Sequence, residues 1–147
     1  MPTLPLPPSG VYALELRLRR AMAVTVGRVG EVCLARGTYL YVGSAQRNLA
    51  ARVGRHFARE KRIRWHIDHL TTHADVTVTR AAIWPLGKEW ECQLAEALVA
   101  AELAERVVPG FGASDCRCGG HLLRVTDKAW LGRLGETVPA LGRASWL

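Results

Sequence analysis

Asparagine occurs once in this chain of 147 residues, at Asn48, and lysine three times, at Lys61, Lys88 and Lys128. No apolar run approaches the roughly twenty residues that a membrane-crossing helix needs, so a helical span is excluded. With no secretory signal read, the four cysteines, Cys33, Cys92, Cys116 and Cys118, are expected as reduced thiols. Cys116-Arg117-Cys118 with His121 offers half of a zinc site. A closed structural site needs four ligands, and no second half is visible, so loop or buried thiols are expected. Repeats, low-complexity tracts and linkers are absent. The stretch Met1–Ser9 holds four prolines and no charged side chain. It lacks the continuous apolar core of a signal peptide and reads as an extended arm on a cytoplasmic protein.

What is abundant is arginine, which supplies seventeen of twenty basic residues and helps give a net charge of +7. Its planar fork suits phosphate oxygens better than lysine's point charge. The charge is also unevenly placed. Residues 1–64 hold twelve basic and three acidic side chains, whereas residues 65–147 hold eight basic and ten acidic. That asymmetry favours a polyanion-binding face over a uniformly charged surface. With 49% hydrophobic residues the chain can build a real core, and its length suits one domain.

Hydrophobic periodicity predicts an α+β fold: a small mixed or antiparallel sheet flanked by helices. Residues 11–18 alternate as a strand, with Tyr12, Leu14, Leu16 and Leu18 on one face. Residues 23–28 give a second strand, joined to the first by a hairpin through Arg19-Arg20, and residues 31–34 a third. Residues 38–42 form another, with Tyr39 and Tyr41 on a shared face. Asn48 is placed to cap a helix over residues 49–60, in which Leu49, Val53 and Phe57 make the core-facing stripe. On its flank lie Arg52, His56 and Arg59, with Arg55 pointing roughly away from the core. A short helix over 65–73, a strand over 76–84 and a long helix over 90–105 follow. Next come a polar loop over 112–120, a strand over 122–125 and a last helix over 128–134, with Asp127 as its cap.

Two tripeptides stand out, Gly10-Val11-Tyr12 and Tyr41-Val42-Gly43, followed by Arg52 and His56 on the basic helix and by Glu91 on the long one. Each has a bland reading. Strand tyrosines pack in half-buried sheets, helix arginines are usually solvated, and a first-turn glutamate complements the helix dipole. Glu89 and Glu96 compete with Glu91 for any metal role. His66, His69 and His73 share a helical face near Asp68, but no fourth ligand accompanies them and they carry no metal site here. The five tryptophans are too dispersed for a stacking platform.

In order and spacing, however, the five residues resemble the GIY-YIG nuclease superfamily. The stretch YVGSAQRNLAARVGRHF resembles the segment after the second motif in excision-repair incision nucleases, and ECQLAEAL the helix carrying the metal-binding glutamate. Together with WHIDHL and GFGASDCRCGGHL, the run is most similar to a compact GIY-YIG-like family sometimes fused to endonuclease III-type proteins. The resemblance implies a nuclease domain over residues 10–126, preceded by an arm over 1–9. It leaves residues 127–147 as an extension packed on the same domain. It also implies Mg²⁺- or Mn²⁺-dependent hydrolysis of phosphodiesters in nucleic acid, DNA in particular, in a structure-selective or repair-related role. Tyr12 then activates the attacking water, Tyr41 orients it or the phosphate, Arg52 and His56 hold phosphate oxygens, and Glu91 binds the metal. Arg47, Arg55, Arg59, Arg62 and Arg64 are the expected nucleic-acid contacts, and no membrane partner is expected.

The chain departs from that pattern in three places. Twenty-eight residues separate Tyr12 from Tyr41, which an extra hairpin near residues 23–34 would absorb. Ser44 follows the second motif where a lysine is frequent, with Arg47 as its replacement. The superfamily's asparagine downstream of the glutamate is missing, because Asn48 lies upstream; Ser114, Asp115 and His121 are the candidates to replace it. That absence keeps two rivals open: a nucleic-acid-binding module with weak or no turnover, and an adaptor for a DNA-repair partner that docks through residues 130–147.

Overall fold

The computed structural model describes residues 6–112 and 119–147. In chain order the elements are β1 (Gly10–Leu18), β2 (Met22–Val26), β3 (Gly30–Leu34), β4 (Gly37–Ala45), α1 (Leu49–Phe57) and α2 (Asp68–Thr71). Then come β5 (Val76–Trp84), α3 (Trp90–Ala100), β6 (Ala104–Arg106), β7 (Leu122–Val125), α4 (Trp130–Thr137) and β8 (Ser145–Trp146). Six strands form one sheet in the order β6-β7-β4-β1-β5-β8, and every neighbouring pair is antiparallel. β2 and β3 form a separate two-stranded ribbon. This is the α+β class expected from the pattern, with the extra hairpin between the two tyrosine motifs.

β1 lies in the middle of the sheet and is buried on both faces. Tyr12, Leu14, Leu16 and Leu18 pack with Tyr39, Leu49, Val53, Leu70 and the ribbon residues Met22, Val26, Val32 and Leu34. Ala13 faces the other way, with Leu40, Val42 and Trp84, against Leu94 and Leu98 of α3 and Trp130 and Leu134 of α4. The sheet is therefore sandwiched, with α1 on one side and α3 and α4 on the other. The extension beyond residue 126 is integral to this packing, because β8 pairs with β5 and Leu147 exchanges backbone hydrogen bonds with Ala81.

The structure corrects several expectations. β1 and β2 do not pair. Arg19 and Arg20 instead bond Asp75 Oδ1 (Nε distances 2.8 and 3.4 Å), just before β5, and the chain leaves the sheet there. Asn48 does not cap α1: it adopts a left-handed backbone (φ 53°), and its side chain makes no capping bond. α1 ends at Phe57, short of residue 60, and the helix expected over 65–73 reduces to α2. The helix expected to reach residue 105 stops at Ala100. Glu102 turns left-handed (φ 58°), and residues 104–106 become the edge strand β6 on β7. Ser114, Asp115, Cys116 and Cys118 lie outside the described residues.

Candidate active site

The two tyrosine motifs meet because β1 and β4 are neighbours in register. Tyr12 faces Gly43 and Leu14 faces Tyr41, so both phenols project from the α1 side of the sheet. The motif glycines answer to space. A Cβ on Gly43 would stand 2.6 Å from Tyr12 Oη, and one on Gly10 would run into the Trp84 carbonyl oxygen. Glycine at these two positions allows ring and strand to approach that closely.

α1 delivers the next two residues. Leu49 and Val53 anchor it to the sheet, and Arg52 and His56 fall on the flank that overlooks the tyrosines. Tyr12, Tyr41, Arg52, His56 and Glu91 all line one cleft of about 450 Å³. Arg47, Arg64 and Lys88 line it as well, giving four permanent cations against one carboxylate among the described lining residues.

His56 is 1% exposed, and its Nε2 lies 2.7 Å from Tyr12 Oη. Burial, with the Lys61 cation adding to it, pulls the imidazole pKa down to about 4, so the ring is neutral at pH 7. Tyr12 Oη and His56 Nε2 share one hydrogen bond, whose donor is set by the ring tautomer. The resemblance implies a phosphate contact for His56; in the structure its Nε2 is paired with Tyr12 while the ring lines the cleft. Burial raises the Tyr12 pKa well above its ordinary value, nearby Tyr41 adds to the rise, and Arg52 only partly offsets them. Tyr41 is raised for the same first reason, with the Glu91 charge adding to it. Both resting phenols are protonated.

Arg52 is held without an acid. Its guanidinium carbon sits 4.9 Å from the Trp65 ring centroid, and Nη1 donates to the Ser44 carbonyl at 3.3 Å. Cation–π stacking of this kind orients the fork while leaving most of its N–H donors available.

Glu91 enters from the first turn of α3. Ser44 Oγ donates to its Oε2, and His121 Nδ1 approaches its Oε1 at 3.0 Å. Burial acts to raise this carboxyl, but the hydrogen bonds from His121 and Ser44 outweigh it and hold the pKa below the usual range. The group is therefore ionised. His121 in turn sits 3.6 Å from Cys92 Sγ through Nε2. Ser44 thus binds the glutamate, and His121, one of the three candidates for the missing asparagine, contacts the same carboxylate.

The expected nucleic-acid arginines divide. Arg47 and Arg64 line the cleft, and Arg62, two residues before Arg64, is exposed. Arg55 does not point away into solvent: Nη1 and Nη2 grip the fully buried Asp68 at 2.9 and 3.0 Å. Arg59 bonds the carbonyls of His73, Ala74 and Val76. These two hold the fold together. The three histidines do not gather: His66 Nδ1 accepts from Gly112 N–H, and His73 Nδ1 from Asp75 N–H. Among the described residues no three His, Cys, Asp or Glu side chains cluster as a cation cage.

Nothing in the sequence pattern assigned Asp68, Trp65 or Lys88 to this cleft. Asp68 also accepts the N–H groups of Arg64 and Trp65 at 2.8 and 3.0 Å, which sets the cleft wall. An acid inside a basic run was the available signal.

A family's sequence profile matches residues 11–141, from the first tyrosine motif into the last turn of the chain. This chain belongs to that family, the domain of unknown function DUF123. No curated protein matches this DUF123 domain. No solved structure matches it either. The match runs through α4, so the DUF123 domain includes most of the C-terminal extension.

Proposed function

We propose that this DUF123 domain is a metal-dependent DNA endonuclease of GIY-YIG type. One observation carries the reading: side chains as distant in sequence as Tyr12 and Glu91 line a single cleft rich in arginine and lysine. A phosphodiester is anionic, so its hydrolysis needs charge offset, an activated water and a group to accept a proton.

Glu91 would hold Mg²⁺ or Mn²⁺. The fit is sound: it is an ionised oxygen donor, and Mg²⁺ keeps several waters and needs few protein ligands. When bound, such an ion offsets the negative charge developing on the phosphate oxygens. Ser44 and His121 fix the carboxylate, one at each oxygen. Arg52, oriented by Trp65, presents its remaining N–H groups to the phosphate. Tyr12 takes a proton from the attacking water while its own hydroxyl proton passes to His56 Nε2. The water oxygen bonds to phosphorus, the bond to the departing oxygen breaks, and that oxygen is protonated from solvent. Tyr41, a protonated phenol, donates to a phosphate oxygen.

The test is incubation of the full chain with nicked, flapped and branched DNA and Mg²⁺. Tyr12→Phe and Glu91→Gln should each lose about 10²–10⁴-fold in cleavage rate. Equal cleavage by parent and variants overturns the reading. The raised Tyr12 pKa favours a second reading, a DNA-binding module with little turnover. In that case the parent binds DNA in a salt-sensitive way and cleaves nothing.

A further inference from the structure

Next in the chain to the cleft-lining Arg64, one large apolar side chain is open to solvent. Ile63 is 43% exposed, the exposed large hydrophobic residue among those described. A lone surface isoleucine ordinarily needs no explanation. This one is set apart by how its backbone is held and by what flanks it.

Residues 61–65 form no helix or strand, yet every neighbour of Ile63 is anchored. Lys61 Nζ donates to the carbonyls of Arg55 and His56 at 2.9 and 3.2 Å. Arg55 Nη2 donates to the Arg62 carbonyl at 2.8 Å. The N–H groups of Arg64 and Trp65 both bond Asp68 Oδ2. Asp68 is fully buried, so the anchor belongs to the core. The side chains of Arg62 and Arg64 remain exposed on either side. Arg64 and Trp65 line the cleft directly. The result is an exposed apolar side chain on a fixed backbone, flanked in the chain by two exposed cations, one of which lines a cleft suited to a phosphodiester.

We propose that Ile63 is a wedge that enters a base step of duplex DNA next to the phosphate held in the cleft. Arg62 and Arg64 bind the phosphates on either side of that step. Proteins that kink DNA use apolar side chains this way, separating stacked bases while basic residues hold the backbone. The substrate class follows: duplexes with a step that unstacks cheaply, at a nick, mismatch or junction, rather than uniform duplex. The inference rests on the nuclease reading for its choice of DNA.

The experiment uses the full chain with EDTA present, so that no strand is cut. A set of short duplexes carries 2-aminopurine, one step at a time, because its fluorescence rises on unstacking. Wild-type protein should brighten one step or two adjacent ones. Ile63→Ala should bind but lose that rise, and Ile63→Leu should keep it. Arg62→Ala and Arg64→Ala should each lower the dependence of log K on log salt by about one. In the presence of Mg²⁺, the preference for nicked or mismatched duplex over perfect duplex should fall towards one in Ile63→Ala. Binding by wild type without brightening at any step, or an undiminished rise in Ile63→Ala, overturns the wedge and leaves the nuclease reading standing. Loss of binding together with the rise in Ile63→Ala also counts against it, since phosphate attachment belongs to the arginines. Failure of the wild type to bind DNA in EDTA and equally with Mg²⁺ present overturns both.

Discussion

Gly43 and Tyr12 face each other across the β1–β4 ladder, and the phenol of one occupies the space where a side chain on the other would sit. The second motif's glycine is therefore a condition for the first motif's tyrosine. Gly43→Ala should cost stability as well as position, because the obstructing Tyr12 ring is packed in the core. It should displace the Tyr12 hydroxyl from His56 and lower the turnover rate by about 10²-fold, the effect of a misplacement near 1 Å. Circular dichroism alongside single-turnover cleavage separates the two effects.

Asp68 should be among the most sensitive positions for stability. It is fully buried, its partner Arg55 is 23% exposed, and it also accepts two backbone N–H groups. Burial acts to raise its pKa, but the Arg55 bond and the two N–H bonds bring it below the ordinary range. Asp68→Ala leaves these donors without an acceptor and should cost about 3–5 kcal/mol in denaturant unfolding. A double-mutant cycle with Arg55→Ala should show strong coupling, with the two single losses far from additive.

Acid should unfold the protein partly through His56. Its folded pKa of about 4 lies below the ordinary 6.5, so its contribution to stability is complete above 6.5 and disappears as pH falls towards 4. The gap corresponds to up to about 3 kcal/mol. Glu91 and Asp68, both held low, add losses of the same sign further into acid. In a series of unfolding curves between pH 4 and 7, His56→Gln should flatten the slope. An unchanged slope would show that His56 titrates normally.

The arginines should separate by assay. Arg47→Ala and Lys88→Ala, at the cleft, should each reduce the salt slope of DNA binding by about one while leaving unfolding curves in place. Arg59→Ala, which removes donors from three carbonyls, should do the reverse.

Much of the sheet was legible because alternation is a local signal. β1, β4, β5 and β7 could be read from their own residues, and the glycine–tyrosine pairs marked the strands that carry the site. The limits fall where a distant partner decides. Asp75 draws Arg19 and Arg20 away from a hairpin that their sequence permits. The apolar residues Val99 and Leu103 continue the helical pattern of α3, yet a left-handed Glu102 and a waiting β7 turn the chain into a strand. Of the arginines on and after α1, sequence alone could not separate those serving the fold from those facing the cleft, because Asp68 and the carbonyls at residues 73–76 make the choice. Ser44 looked like a lost phosphate contact because its real partner, Glu91, lies forty-seven positions away.

Trp65 gives the cleft its own optical probe. Its indole carries the Arg52 and Arg55 guanidinium groups at 4.9 and 4.5 Å and, unlike the other four tryptophans, it is among the residues bordering the cavity. A phosphate that draws Arg52 off the ring must alter the emission of this one chromophore, so occupancy can be followed by light in the unlabelled protein, and Trp65→Phe should silence the signal.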